Sequence, residues 1–309
     1  MSRIIVIAGP TASGKTGLAV ELALRLSGEV VSADSMQIYR GMNIGTAKPD
    51  MAERRGIPHH MLDVVEPGED YSVSRYVEEA TVCVDDILSR RKTPIICGGT
   101  GLYIDSLLRG GGFRESGIDS GLRAQLENAW SADPDRLTEE LRRVDPETAA
   151  RLHPNDRRRI LRALEVYRQT GMTITAHNAY TQSLPSRYDA LCLALDFADR
   201  ATLYARIDRR VDRMLAQGLI DEACSLRERG MLKGTAAQAI GYKELMEYFD
   251  NRCSLAETAT LIRQKSRNYA KRQLTWFRRD RKMHWIIRPD ENEDVLLQKA
   301  TDYLKEYGL

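Results

Sequence analysis

The stretch I-I-V-I-A-G-P-T-A-S-G-K-T-G-L-A-V-E-L-A-L-R-L, Ile4 to Leu26, decides the fold. Ile4 to Ala8 is a continuous apolar, β-branched run, the pattern of a strand buried on both faces. Gly9, Pro10, Thr11, Ala12, Ser13, Gly14, Lys15 and Thr16 follow and match G-x-x-x-x-G-K-[ST] in full. Leu18, Leu22 and Leu26 then recur at helical spacing. Each residue type has a physical task. The glycines let the backbone curl so that successive N–H groups converge on phosphate oxygens. The helix that begins there turns its positive end toward the same anion. Lys15 adds a full charge, and Thr16 offers a hydroxyl to a phosphate-bound Mg²⁺. The expected fold is α/β, a P-loop NTPase-like parallel sheet, with a di- or triphosphate at the loop.

Working outward, the 309 residues suffice for one large domain or two modest ones. Charged residues make up 29% and the formal net charge is only +2, so overall basicity does not argue for nucleic acid. The five cysteines, at 83, 97, 192, 224 and 253, form no C-x-x-C pair, which argues against a disulfide framework or a zinc site. His59–His60 lack a third ligand at metal spacing, and P-H-H reads as loop structure. The apolar run before Gly9 is too short for a signal peptide or a membrane span, so a cytoplasmic protein with no membrane partner is expected.

A hydrolase or kinase adds a strand-end carboxylate that helps to hold Mg²⁺. Three runs offer one: Val30–Val31 leads to Asp34, H-H-M-L-D-V-V contains Asp63, and A-L-C-L-A-L-D ends at Asp196. The clear buried strand T-P-I-I-C-G-G-T-G-L-Y, 93 to 103, ends instead in Gly98, Gly99, Thr100 and Gly101. Ligands of parallel sheets sit at the carboxyl ends of strands, which places Asp34 and Thr100 near the phosphate loop. A threonine there donates to an oxygen that gains charge as a bond breaks, or is simply a turn hydroxyl.

Seven stretches in order, G-P-T-A-S-G-K-T, S-A-D-S-M-Q-I-Y-R-G-M-N-I-G-T-A-K-P, P-H-H-M-L-D-V, G-G-T-G-L-Y, N-D-R-R-R-I-L-R-A-L-E-V-Y, A-I-G-Y-K-E and Y-A-K-R-Q-L-T-W-F-R, resemble the tRNA dimethylallyltransferases, also called tRNA isopentenyltransferases. The resemblance runs from about residue 3 to 285. It implies transfer of the dimethylallyl group of dimethylallyl diphosphate to N6 of the adenosine just 3′ of the anticodon, in tRNAs reading codons that begin with U. Diphosphate leaves and Mg²⁺ assists. Asp34 is then the candidate base for the amine proton, or the organiser of Mg²⁺-bound water. Lys15, Thr16 and the helix end stabilise the leaving group, with Thr100 donating to its bridging oxygen. Ser35, Met36 and Gln37 join Asp34 and Thr100 as tRNA contacts, Gln37 at an adenine edge.

Two basic regions supply surface for RNA. In 153 to 171, Arg157, Arg158, Arg159 and Arg162 crowd a helix start. In 263 to 282, nine Lys/Arg accompany one Asp, with Arg263, Arg267, Lys271 and Arg278 on one helical stripe and Ile262, Tyr269 and Trp276 opposite. Arginine runs are ordinarily solvated faces; with the resemblance they become phosphate-tracking surfaces for a tRNA anticodon stem-loop. The family pattern puts tRNA contacts at Arg158, Arg159, Ile160, Leu161 and Arg162, at Gly241, Tyr242 and Lys243, and at Lys271, Arg272, Gln273 and Arg278, with Arg123 as a further carry-over.

Gly110–Gly112 interrupts the chain, helical patterns fill the stretch up to about Arg187, and Y-D-A-L-C-L-A-L-D-F restores a strand. The expected organisation is a catalytic core over 1–112, an all-helical, tRNA-clamping insertion over 113–187, and the rest of the core over 188–309. After residue 197 the pattern is mostly helical, with M-H-W-I-I as a last strand. A monomer is expected, and a compact bacterial form, the latter because the C-terminal zinc finger frequent in eukaryotic members of the family has no Cys/His ligands here. Three alternatives compete: a prenyltransferase of free adenine nucleotides, a kinase with an arginine lid at 157 to 162, and a non-catalytic RNA-binding protein.

Overall fold

The computed structural model describes residues 3–110, 120–288 and 292–308. Among them, six strands form one parallel sheet in the order β3-β2-β4-β1-β5-β6. These are β1 (Arg3–Ala8), β2 (Glu29–Ser32), β3 (His59–His60), β4 (Pro94–Gly98), β5 (Asp189–Phe197) and β6 (His284–Arg288). The sheet explains the unbroken apolar runs. In β1, Ile4, Val6 and Ala8 pack into one core layer, whereas Ile5 and Ile7 pack into the other. Alternation survives, but both faces are buried. P-H-H, read as loop from sequence, instead contributes β3, pairing Val30 with His59 and Val31 with His60. Two residues at a sheet edge are too short to show a period.

The chain divides into two compact units, one formed by Met1–Leu108 with Arg187–Leu309, the other by Arg109–Ser186. The expected core–insertion boundary at 112/113 lies outside the described residues. In the sheet unit, α1 (Lys15–Arg25) and α14 (Glu293–Tyr307) cover one face. The other face carries α3 (Val73–Ser89), α4 (Gly101–Leu108), α11 (Leu219–Glu228) and α12 (Tyr242–Phe249). Helix α10 (Arg200–Ala216) packs along α13 (Leu255–Phe277). A short α2 (Met51–Arg54) precedes β3. No helix among the described residues is long and apolar enough to cross a membrane.

The second unit is helical: α5 (Ser120–Ala132), α6 (Pro134–Val144), α7 (Pro146–Arg151), α8 (Arg157–Thr170) and α9 (Ile174–Ser183). Asp133, Asp145 and Asp156 each accept a backbone N–H and start a helix. Asp145 also accepts the Thr175 hydroxyl at 2.6 Å and so ties α9 to the start of α7. Leu126, Leu137, Leu141, Ile160, Leu161 and Leu164 make the core of this unit.

Candidate active site

The phosphate loop joins β1 to α1, where the first turn of the helix leaves its N–H groups unpaired by the helix itself. Lys15 Nζ donates to the Pro10 carbonyl at 2.7 Å, folding back over the loop. Burial pushes the Lys15 ammonium down to about 8, against a smaller upward pull from nearby acidic groups including Asp34. A cavity of ≈ 850 Å³ opens beside Ser13 to Thr16. Its other wall is four arginines of α10: Arg206, Arg209, Arg210 and Arg213. Arg206 donates to the Ala12 carbonyl at 3.1 Å and Arg210 to the Thr46 carbonyl at 3.3 Å. The sequence reading missed these arginines, although their i, i+3, i+4, i+7 spacing puts them on one helix face. Lys15, Lys48 and these arginines outweigh Asp50, Glu53 and Glu293 on the lining, which makes this the anion end of the site.

A second cavity of ≈ 220 Å³ adjoins it, and Arg210 and Met214 line both. Its walls are largely apolar, with Ile207, Val211, Ile240 and Ile262, while Asp34, Ser35, Tyr269 and Arg272 supply polar groups. One elongated site thus has a cationic end and a hydrocarbon end. A short alkyl diphosphate matches that division, whereas a nucleotide would put a polar sugar against the aliphatic wall.

Of the three candidate carboxylates, the structure places only Asp34 on this cavity wall. Asp63 is ion-paired with Lys48 at 2.5 Å, and Asp196 accepts from Arg200 at 2.8 Å and Arg278 at 3.0 Å. Asp34 sits two residues past β2, its Oδ1 accepting the Met36 N–H at 2.9 Å. The end of β4 lies against it. A Cβ on Gly98 would stand 2.2 Å from the Ala33 carbonyl oxygen, so only glycine lets the two strand ends approach this closely. Thr100 Oγ1 accepts the Ser35 N–H at 3.0 Å and donates to Ser35 Oγ at 3.3 Å. Tyr269, whose hydroxyl is pushed well up by burial, also hydrogen-bonds Thr100.

Several residues that the resemblance names as tRNA contacts have partners within the protein or lie in its core. Gln37 donates to the Thr46 and Ala47 carbonyls at 3.3 and 3.2 Å and accepts from Ser32, which ties its half-buried amide to the 43–48 loop. Ile160 and Leu161 are core residues, 2% and 0% exposed, and their side chains have no access to RNA. Tyr242 is fully buried and donates to Glu222 at 2.5 Å, and Gly241 beside it is buried as well. Gln273 accepts the Thr11 N–H at 2.9 Å and donates to the Gly99 carbonyl at 3.0 Å, bridging two active-site loops. Arg263 and Arg267 pair with Asp212 and Asp208 of α10, and Arg278 with Asp196. Arg158, Arg159, Arg162, Lys243, Lys271 and Arg272 are exposed as expected of phosphate contacts, while Arg123 is half-buried and paired with Glu127 at 2.7 Å.

With this geometry in hand, comparison with known proteins is specific. The family model described as IPP transferase matches residues 37–280, and that described as isopentenyl transferase matches residues 2–65. A protein of Pelotomaculum thermopropionicum named tRNA dimethylallyltransferase is 45% identical over 92% of this chain and 90% of its own length. One of Acetivibrio thermocellus with the same name is 42% identical over 100% and 99%. The crystal structure of the tRNA isopentenylpyrophosphate transferase from Bacillus halodurans is 39% identical, with a TM-score of 0.74 over 99% of this chain and 96% of that one. A eukaryotic dimethylallyltransferase solved acting on tRNA is 30% identical, with a TM-score of 0.81 over 99% of this chain and 80% of its own. The chain belongs to the tRNA dimethylallyltransferase family.

Proposed function

We propose that this protein acts in the cytoplasm and transfers the dimethylallyl group of dimethylallyl diphosphate to N6 of the adenosine immediately 3′ of the anticodon, in tRNAs reading codons that begin with U. The observation that carries this reading is the paired cavity: an arginine-walled anion end and an aliphatic end, joined at Arg210 and Met214, with Asp34 on the wall. The adenine amine is a poor nucleophile because its lone pair is delocalised into the ring. As its nitrogen bonds the allylic carbon, the carbon–oxygen bond to diphosphate breaks and the amine proton goes to Asp34. A base so placed contributes about 10²–10⁴-fold. The departing negative charge meets Lys15, Arg210 and the α1 N-terminus, a preorganised field. An anticodon-loop adenosine must leave its stack to reach Asp34, at a cost of a few kcal/mol that RNA contacts elsewhere offset.

Mg²⁺ fits the donors present. The Thr16 hydroxyl lines the anion end beside Lys15 and would hold the ion together with diphosphate oxygens and water. Bound there it would neutralise charge on the leaving diphosphate.

The test is transfer of a labelled prenyl group to an anticodon stem-loop against free AMP, followed by mass spectrometry of the product nucleoside. Transfer to the stem-loop at the expected adenosine is the predicted result. Equal turnover of AMP, or ATP-dependent phosphoryl transfer, overturns it.

A further inference from the structure

Residues 43 to 48 form the partition between the two cavities. Asn43, Ile44, Ala47 and Lys48 line the anion end, and Gly45 and Thr46 line the apolar end. Gln37 holds its second half through the Thr46 and Ala47 carbonyls, and another side chain holds its first three residues from behind. Glu222, on α11, accepts three successive backbone N–H groups: Asn43 at 2.9 Å, Ile44 at 2.9 and 3.0 Å to its two oxygens, and Gly45 at 3.1 Å. The Tyr242 hydroxyl donates to the same carboxylate at 2.5 Å. Successive N–H groups converging in this way make an anion nest. Here the nest is filled by the protein's own carboxylate, so these N–H groups are not diphosphate ligands.

Two further contacts give the arrangement a direction. The Tyr242 ring lies against Gly45, where a Cβ would come within 2.4 Å of it, so the loop rests on the ring and is fastened by the carboxylate. The next residue, Thr46, turns its carbonyl to Arg210, which donates to it at 3.3 Å. Arg210 lines both cavities.

We propose that Glu222 is a positioning residue for the prenyl diphosphate: by gripping 43 to 45 it fixes the Thr46 carbonyl, and through it the Arg210 guanidinium at the junction of the two cavities. The Tyr242 of A-I-G-Y-K-E is part of this grip rather than an RNA contact. The inference rests on the functional reading above, and the measurements separate the two.

Glu222→Gln keeps the side chain's size but leaves one acceptor oxygen, with an amide NH₂ turned toward backbone donors. Binding of dimethylallyl thiodiphosphate, measured by calorimetry without RNA, should weaken about tenfold, equivalent to ~1.4 kcal/mol. The KM for dimethylallyl diphosphate should rise in parallel, while that for the anticodon stem-loop stays within about twofold. Tyr242→Phe, which removes only the hydroxyl, should shift binding in the same direction by less. In an Arg210→Ala background, Glu222→Gln should add less than about twofold, because the residue it acts through is gone. Unchanged thiodiphosphate binding in a folded Glu222→Gln protein overturns the proposal. So do effects of Glu222→Gln and Arg210→Ala that multiply, or an equal rise in the stem-loop KM. If the wild type binds the thiodiphosphate but prenylates no stem-loop, the functional reading fails while the calorimetric comparison still decides the role of Glu222.

Discussion

Asp34 and Lys15 divide the chemistry between a proton and a leaving group, and each predicts a separable defect. Asp34→Asn keeps the Oδ1 that accepts the Met36 N–H but cannot take a proton at neutral pH. Single-turnover transfer should fall about 10²–10⁴-fold with diphosphate affinity little changed. An unchanged rate would leave Asp34 without the role of base. Lys15, pushed down to about 8 by burial, is the pH-sensitive partner. Its ammonium is favourable to a bound diphosphate and unfavourable to the empty fold. Thiodiphosphate affinity should therefore be level below about pH 8 and fall by up to about tenfold per pH unit above it, with fold stability moving the other way as pH rises toward 10.5. Isothermal titrations from pH 7 to 9.5 read the slope, which Lys15→Met should abolish. The residues legible in the sequence are those in sequence-local patterns: the phosphate loop and Asp34 just after a strand. Arg210 was not legible, because it gains meaning only when α10 folds across the loop.

Helix α13 illustrates the same limit one level up. Its periodicity gave a basic stripe and an apolar stripe, but not what each stripe faces. One side, Tyr269, Gln273 and Trp276, meets Thr100, Gly99 and Asp105, respectively. The stripe of Arg263, Arg267 and Lys271 runs along α10, where Asp212, Asp208 and the Tyr204 ring receive it. A hint was present in R-I-D-R-R-V-D, whose aspartates are four apart and matched by arginines four apart on α13. Reading it needed the knowledge that the two helices are neighbours. Gln273→Leu removes both bonds from Gln273 to the active-site loops and strands a buried Gly99 C=O and a half-buried Thr11 N–H. About 1–3 kcal/mol of stability should be lost, together with a higher KM for dimethylallyl diphosphate, visible in urea unfolding and in steady-state kinetics. If Gln273 were an RNA contact instead, only the stem-loop KM would rise.

At the scale of the whole molecule, the parallel sheet was readable because β1, β4 and β5 are buried on both faces, and such strands announce themselves as apolar runs. The helical stretch was readable as amphipathic segments, but a pattern of charges alone does not separate core from surface. R-R-R-I-L-R carries both, and Ile160 and Leu161 belong to the core while Arg158, Arg159 and Arg162 are exposed. That division makes the two kinds of residue experimentally distinct. Arg158→Ala with Arg159→Ala should weaken stem-loop binding and flatten its salt dependence, by about one unit of log–log slope or less for each phosphate that is no longer neutralised, at unchanged melting temperature. Leu161→Ala should instead cost about 2–5 kcal/mol through the cavity it opens. Because Arg109–Ser186 is a compact unit with its own core, that destabilisation should fall on it, weakening stem-loop binding and leaving thiodiphosphate binding in the sheet unit intact. Calorimetric unfolding of the Leu161→Ala protein should then show an early transition that thiodiphosphate does not shift and a later one that it does. A single transition raised by the ligand would mean that the two units unfold as one.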